Sequence, residues 1–229
     1  MPRGILKPRF QTCHEFERKI ARGSLTEAQQ RDLWDCLFLT REQIADLLDY
    51  AQQAARHPFI YPMFVFAAHT GARRSELLRS RIEDVDLEAT VVTIREKKRV
   101  HGKATVRTVP LSPRLRSALT EWLATHPGGQ ATFSSGLYVS RSRKHPDQPQ
   151  SLTRNEAHDH FQRTVGGSKW DLLRGWHVFR HSFCSNCAAQ GVDQRIINGW
   201  VGHQTEEMVR RYRHLIPNQQ QEAITHVFG

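Results

Sequence analysis

Thr90 to Leu111 reads TVVTIREKKRVHGKATVRTVPL, and the change of period across it decides the fold. β-Branched residues crowd two runs, TVVTI (90–94) and TVRTVPL (105–111), on either side of REKKRVHGKA, a charged stretch containing Gly102. Branched side chains suit a pleated strand, and a charged segment with glycine suits a turn. The spacing therefore predicts an antiparallel hairpin over Val85 to Pro110 with lysines at its tip.

Outward from the hairpin the period is helical. Downstream, Ser112-Pro113 opens a helix carrying Leu115, Leu119, Trp122 and Leu123, closed by Pro127-Gly128-Gly129. Upstream, Thr40 and Gln43 form a capping box ahead of Ile44, Leu47, Leu48 and Ala51, a buried stripe that ends before Pro58. Phe59 to His69 is apolar nearly all round, as a buried helix is. Gly71 lets the chain turn into a new helix start beside Arg73. The segment Ser140 to Ser151, SRSRKHPDQPQS, has the composition of a basic loop. From Thr153 the pattern is helical to the end. Asp193 caps a helix with Ile196, Ile197, Trp200 and Val201 inward, Gly202 ends it, and Thr205 with Glu206 and Glu207 starts the next. The reading is α+β, mainly α-helical, with one strand-rich interruption. Residues 1–39, basic and mixed with a short helical pattern around Leu25 to Leu39, read as an N-terminal arm or linker, and Thr40 opens the domain proper.

Composition selects the partner. Among 229 residues, 33 Lys and Arg outweigh 23 Asp and Glu for a net charge of +10, which favours an anionic partner, nucleic acid first. A membrane surface would want that charge on one amphipathic helix, whereas here it is spread along the chain. No apolar run approaches the roughly 20 residues of a membrane span and no signal segment opens the chain, so the expectation is a cytoplasmic protein. Cys13, Cys36, Cys184 and Cys187 are too few for a disulfide framework. Cys184 and Cys187 share an apolar helical face with Phe179, Phe183 and Ala188, which makes them core residues before metal ligands. No G-x-x-x-x-G-K-[ST] loop and no carboxylate cluster at metal-ligand spacing is present, so neither a cofactor nor a metal is expected.

Three separated boxes hold the remaining polar residues: Thr70-Gly71-x-Arg73-x-Ser75-Glu76, His177-x-x-Arg180-His181, and Gly202-His203 followed nine residues later by Tyr212. In this order, with a lysine hairpin between the first two, the chain resembles the tyrosine recombinases, the phage-integrase family, from about Thr40 to Phe228. The resemblance implies the family's catalytic-domain fold, helical with a small antiparallel sheet at one edge. It implies double-stranded DNA as partner, self-assembly into a four-subunit synapse, and strand exchange without metal or ATP. It also implies a helical core-binding domain of roughly a hundred residues, where this chain has only residues 1–39, so 40–229 is read as the catalytic domain.

The chemistry accounts for these residue types. Attack on a phosphodiester raises charge on the non-bridging oxygens, and the guanidiniums of Arg73 and Arg180 are forks suited to hold it. Near neutral pH about one phenol in a thousand is ionised, so Tyr212 needs a proton acceptor, for which His177 is placed. The leaving 5′-oxygen needs an acid, and the hairpin offers Lys97, with Lys98 the alternative because neighbours on a strand face opposite ways. By the resemblance His203 hydrogen-bonds the scissile phosphate and Glu76 braces Arg73. Arg74, Lys98, Arg99, Lys103 and His181 are the candidate contacts to flanking DNA. Two other readings stand beside this one: a nicking-closing enzyme of the type IB topoisomerase kind, and a DNA-binding module without catalysis.

Overall fold

The computed structural model describes residues 9–23, 26, 28–29, 34, 36–100, 103–135, 151–202, 204–216 and 225, with backbone alone for 97–100 and 103–104. The helices there are α1 (Cys13–Ala21), α2 (Arg41–Ala54), α3 (Ile60–Thr70), α4 (Arg74–Leu77), α5 (Pro113–Ala124), α6 (Arg154–Val165), α7 (His177–Ala189), α8 (Gln194–Val201) and α9 (Glu206–Tyr212). Strands β1 (Val85–Asp86), β2 (Val91–Val100) and β3 (Lys103–Pro110) form one antiparallel sheet in the order β1-β2-β3. The α+β, mainly helical reading holds.

Helix α3 is the axle of the core. Ile60, Met63, Phe64, Val65, Phe66 and Ala67 are all buried, so only Tyr61 and His69 of this helix are partly open to water, and α2, α5 and α7 pack around it. Phe64 stacks on Phe161 of α6 at 5.3 Å and meets Phe179 of α7 edge-on at 5.4 Å, joining segments far apart in the chain. The starts of the elements follow the residues expected to set them. Thr40 and Gln43 complete a reciprocal capping box, Ser112 caps α5 with Pro113 in its first turn, and Asp193 and Thr205 cap α8 and α9.

In the hairpin Val92 lies opposite Val109 and Ile94 opposite Arg107, with a register shift between Arg95 and Arg99. That shift interrupts the simple alternation from which Lys97 was preferred to Lys98.

The stretch expected to be an arm is instead packed against the domain over its described residues. Phe10, Cys13, Phe16, Cys36, Leu37, Phe38 and Leu39 are buried, and Gln11 pairs in parallel with Leu37. Helix α1, Cys13–Ala21, is opened by the reciprocal box of Thr12 and Glu15. Within the helical pattern expected around Leu25 to Leu39, the described residues 28, 29 and 34 are helical, and residues 37–39 run extended to reach Gln11 and the core. A second hydrophobic cluster gathers Phe10, Cys36, Phe38, Cys184, Ile197, Val201 and Tyr212. Cys184 is thus a buried free thiol, with Cys187 half-buried beside it. The basic loop expected over Ser140 to Ser151 lies, up to residue 150, outside the described residues.

Candidate active site

Helix α3 ends at Gly71, whose φ of +62° closes the C-terminus in the left-handed region. A Cβ there would stand 2.9 Å from Phe183 of α7 and 3.0 Å from Val201 of α8, so this turn also lets three helices close up. The Gly71 carbonyl accepts a hydrogen bond from Arg180 Nη1 at 3.0 Å. Arg180 is therefore turned inward and buried, and burial, reinforced by nearby Arg73, pushes its guanidinium down to about 10, still charged at neutral pH.

Arg73 follows two residues after Gly71, half-buried at the head of α4. Its backbone N–H donates to Glu76 Oε2 at 2.8 Å and its Nη1 to Glu76 Oε1 at 2.8 Å. Glu76 is 3% exposed. Burial alone would push its carboxyl up, but hydrogen bonds from Arg107 and Arg73 hold it below the usual carboxylate range, so it stays ionised. Arg107, from β3, donates to the same carboxylate through Nη2 at 2.7 Å and Nη1 at 3.3 Å.

Tyr212 closes α9 and is fully buried. Its hydroxyl donates to Gln204 Oε1 and accepts from Gln194 Nε2 at 2.9 Å. Burial pushes the phenol up to about 12, against the opposing influence of Gln194 and of the Arg180 charge. Phe10 lies over it, ring centroids 6.2 Å apart and nearly parallel, with its backbone N–H donating to the Arg211 carbonyl at 2.9 Å. In this arrangement the phenol is closed off from solvent.

His177, the first residue of α7, is exposed, while His181 one turn later is half-buried with its ring 6.2 Å away. Both line a cavity with Arg74, His158 and Arg174, a cationic hollow at a helix N-terminus that suits an anion. The described residues thus bring Arg73, Glu76 and Arg180 to one turn, with the Arg180 charge felt at Tyr212. His177, His181 and Arg74 form a neighbouring group. His203 and the side chains of Lys97, Lys98, Arg99 and Lys103 lie outside the described residues.

The sequence profile of the phage integrase family matches residues 37–219. The chain belongs to the phage integrase family. Among its relatives, the type 1 fimbriae regulatory protein FimB of Escherichia coli K12 is 28% identical over 179 residues, covering 78% of this chain and 82% of FimB. Tyrosine recombinase XerC of Mycobacterium sp. strain KMS is 32% identical over 189 residues, covering 77% of this chain but 58% of XerC. The solved structure of XerH bound to a palindromic difH substrate, a post-cleavage complex, matches with a TM-score of 0.60 at 19% identity, over 87% of this chain and 55% of that one. At that identity the likeness is one of fold. The chain spans a little over half the length of XerC and XerH.

Within this cluster, Glu76 and the Tyr212 hydroxyl are held by residues that the sequence reading did not single out. Arg107 was missed because a charged residue in an alternating strand reads as the solvent face. Its signal was the burial alternation, Arg107 and Val109 inward with Val106 and Thr108 outward. Gln194 and Gln204, the partners of the Tyr212 hydroxyl, carry no such signal, since two glutamines near helix ends are ordinary surface residues. Phe10 was folded into the supposed arm.

Proposed function

We propose that the chain is a site-specific DNA recombinase that cleaves and rejoins duplex DNA through a covalent 3′-phosphotyrosine at Tyr212. The observation carrying this is the convergence at the Gly71 turn, where Arg180 is fixed by the Gly71 carbonyl, Arg73 by Glu76, and the Arg180 charge reaches the Tyr212 phenol. Two guanidiniums supply what in-line attack on a phosphodiester needs, bidentate cover for the developing charge, and the Arg180 charge opposes the burial that pushes the Tyr212 phenol up.

In this reading Arg73 and Arg180 seat the non-bridging oxygens, and His177 takes part in the proton transfers. His203 hydrogen-bonds the phosphate, and Lys97, with Lys98 the alternative, protonates the leaving 5′-oxygen. The freed 5′-hydroxyl then attacks the phosphotyrosine of a partner strand, so the phosphodiester is conserved and neither ATP nor metal enters. Arg74, His181, Arg99 and Lys103 hold flanking phosphates, as the net charge of +10 supports. Residues 40–229 are the catalytic unit, self-assembling on DNA in the cytoplasm. The DNA-bound state of XerH, which shares the fold, supports the choice of partner.

The test is a duplex nicked near the cleavage point, which traps the enzyme after one attack. The wild-type chain is expected to yield an adduct that survives SDS. Tyr212→Phe is expected to yield none while binding the duplex as tightly. An adduct from Tyr212→Phe moves the nucleophile elsewhere. Tight DNA binding by the wild type with no adduct reduces the chain to a binding module.

A further inference from the structure

We infer that Arg107, on β3, is a positioning residue for this strand-transfer chemistry, acting through Glu76 on Arg73 while holding the end of α8. The inference rests on the recombinase reading and extends it to a residue outside the three boxes.

Arg107 occupies an inward slot of β3 opposite Ile94, and 8% of it is exposed. A buried guanidinium is expensive unless its nitrogens find acceptors. Here each of the three does, on three separate elements. Nη2 and Nη1 grip both oxygens of Glu76 on α4, Nη1 also donates to Glu96 Oε1 on β2 at 3.1 Å, and Nε donates to the Trp200 carbonyl near the end of α8 at 2.6 Å. A lysine ammonium is a single point and cannot span these directions; the rigid fork can.

The consequence falls on Arg73. The two oxygens of Glu76 receive four hydrogen bonds, two from Arg73 and two from Arg107. Arg73 is the half-exposed end of this chain, its side chain 41% accessible, while the Glu76 and Arg107 side chains are 2% and 6% accessible. The half-exposed guanidinium that would meet a phosphate is thus oriented by a carboxylate held in place, because Arg107 clamps its far side. Without Arg107 that carboxylate has one cation left and is free to rotate with it. The grip on Trp200 adds a second effect, since that carbonyl lies two residues before Gly202. At Gly202 the backbone approaches Glu96 so closely that a Cβ would stand 2.5 Å from Glu96 Oε1. The hairpin, the Arg73 turn and the turn leading to His203 in sequence are held by one side chain.

The experiment uses the full chain on the nicked duplex under single-turnover, saturating conditions, recording cleavage rate, final adduct yield and DNA affinity. The variants are Arg107→Met, Arg107→Lys, Glu76→Gln and the pair Glu76→Gln with Arg107→Met. Arg107→Met is expected to slow cleavage on the order of a hundredfold, the loss typical of a displaced transition-state contact, at full final yield and unchanged affinity. Arg107→Lys should recover part of the rate. The pair should be no slower than the slower single variant, because both act along one path. Should Arg107→Met alone fail to fold, the pair, which removes both charges together, serves in its place. Wild-type rate in Arg107→Met or in Glu76→Gln, losses that multiply in the pair, or a fall in yield with the rate unchanged would each overturn the inference. Failure of the wild type itself to form adduct would instead strike the recombinase reading, so the two failures are distinguishable.

Discussion

Arginine and lysine are both cations at pH 7, yet the buried position of Arg180 separates what they can do. Its Nη1 is committed to the Gly71 carbonyl, which leaves its other nitrogens for the proposed phosphate contact, and a lysine there has one ammonium for both duties. Arg180→Lys is therefore expected to lower single-turnover cleavage by a factor on the order of 10² to 10³, as loss of an oxyanion donor does. A sulfur in place of the bridging 5′-oxygen should not restore it. Lys97→Ala should behave in the opposite way, slow on normal DNA and restored on the sulfur substrate, because a thiolate leaves without an acid. Recovery confined to Lys98→Ala would shift the assignment by one position, and recovery in Arg180→Lys would remove the arginine from its proposed role. At this scale the sequence was informative where a residue's chemistry is its signal. Arg73, Arg180 and Tyr212 stand out as polar groups in order, while Arg107 and Gln204 become visible only when a strand face or a turn is seen to be buried.

Among the elements, caps and apolar stripes were legible because they are local: Thr40 with Gln43, Ser112 with Pro113, and the all-round apolar α3. The N-terminal segment was not, although Thr12 and Glu15 spell the same capping box, because its packing depends on partners some 200 residues away. Phe10 stacks on Tyr212, takes the Arg211 guanidinium over its face at 4.3 Å, and lies 4.7 Å from the His181 ring. It thereby supplies part of the burial that pushes the Tyr212 phenol up to about 12. A folded value above the unfolded 10 means stability that is fully present below about pH 10 and is lost as pH rises through about 12. Phe10→Ala is expected to admit water to the phenol and move its midpoint down toward 10. The readout is phenolate absorbance, with Tyr212→Phe subtracting the other tyrosines. The same variant should cleave the nicked duplex several-fold faster, since part of the cost of uncovering Tyr212 is already removed. An unmoved midpoint would show that Gln194 and Gln204, not Phe10, enclose the phenol.

For the molecule as a whole, the helical frame was readable from period and the sheet from β-branching, but not how tightly its polar groups are enclosed. His69 shows the consequence. It lies in the last turn of α3, and its Nδ1 meets the Ser112 hydroxyl that caps α5 at 2.5 Å, so it joins two core helices. Burial pushes its imidazole down to about 4, with Arg114 acting in the same direction. His57 and His160, edge to face at 5.2 Å, are also held below the usual imidazole range, chiefly by burial. For a depressed group the stability is present above the unfolded value of 6.5 and is lost as pH falls, because the unfolded chain takes up protons that the folded chain refuses. The window for His69 runs from about 6.5 to about 4, and it is worth at most about 3 kcal/mol. For a chain of this size that is a fall in Tm on the order of 5–10 °C. His69→Gln keeps an amide within reach of Ser112 and cannot titrate in this range, so its Tm should decline less steeply between pH 7 and 4.5. Calorimetry of the two proteins across that range decides the matter: parallel declines would assign the acid sensitivity to the His57 and His160 pair, and a flattened one to the α3–α5 junction.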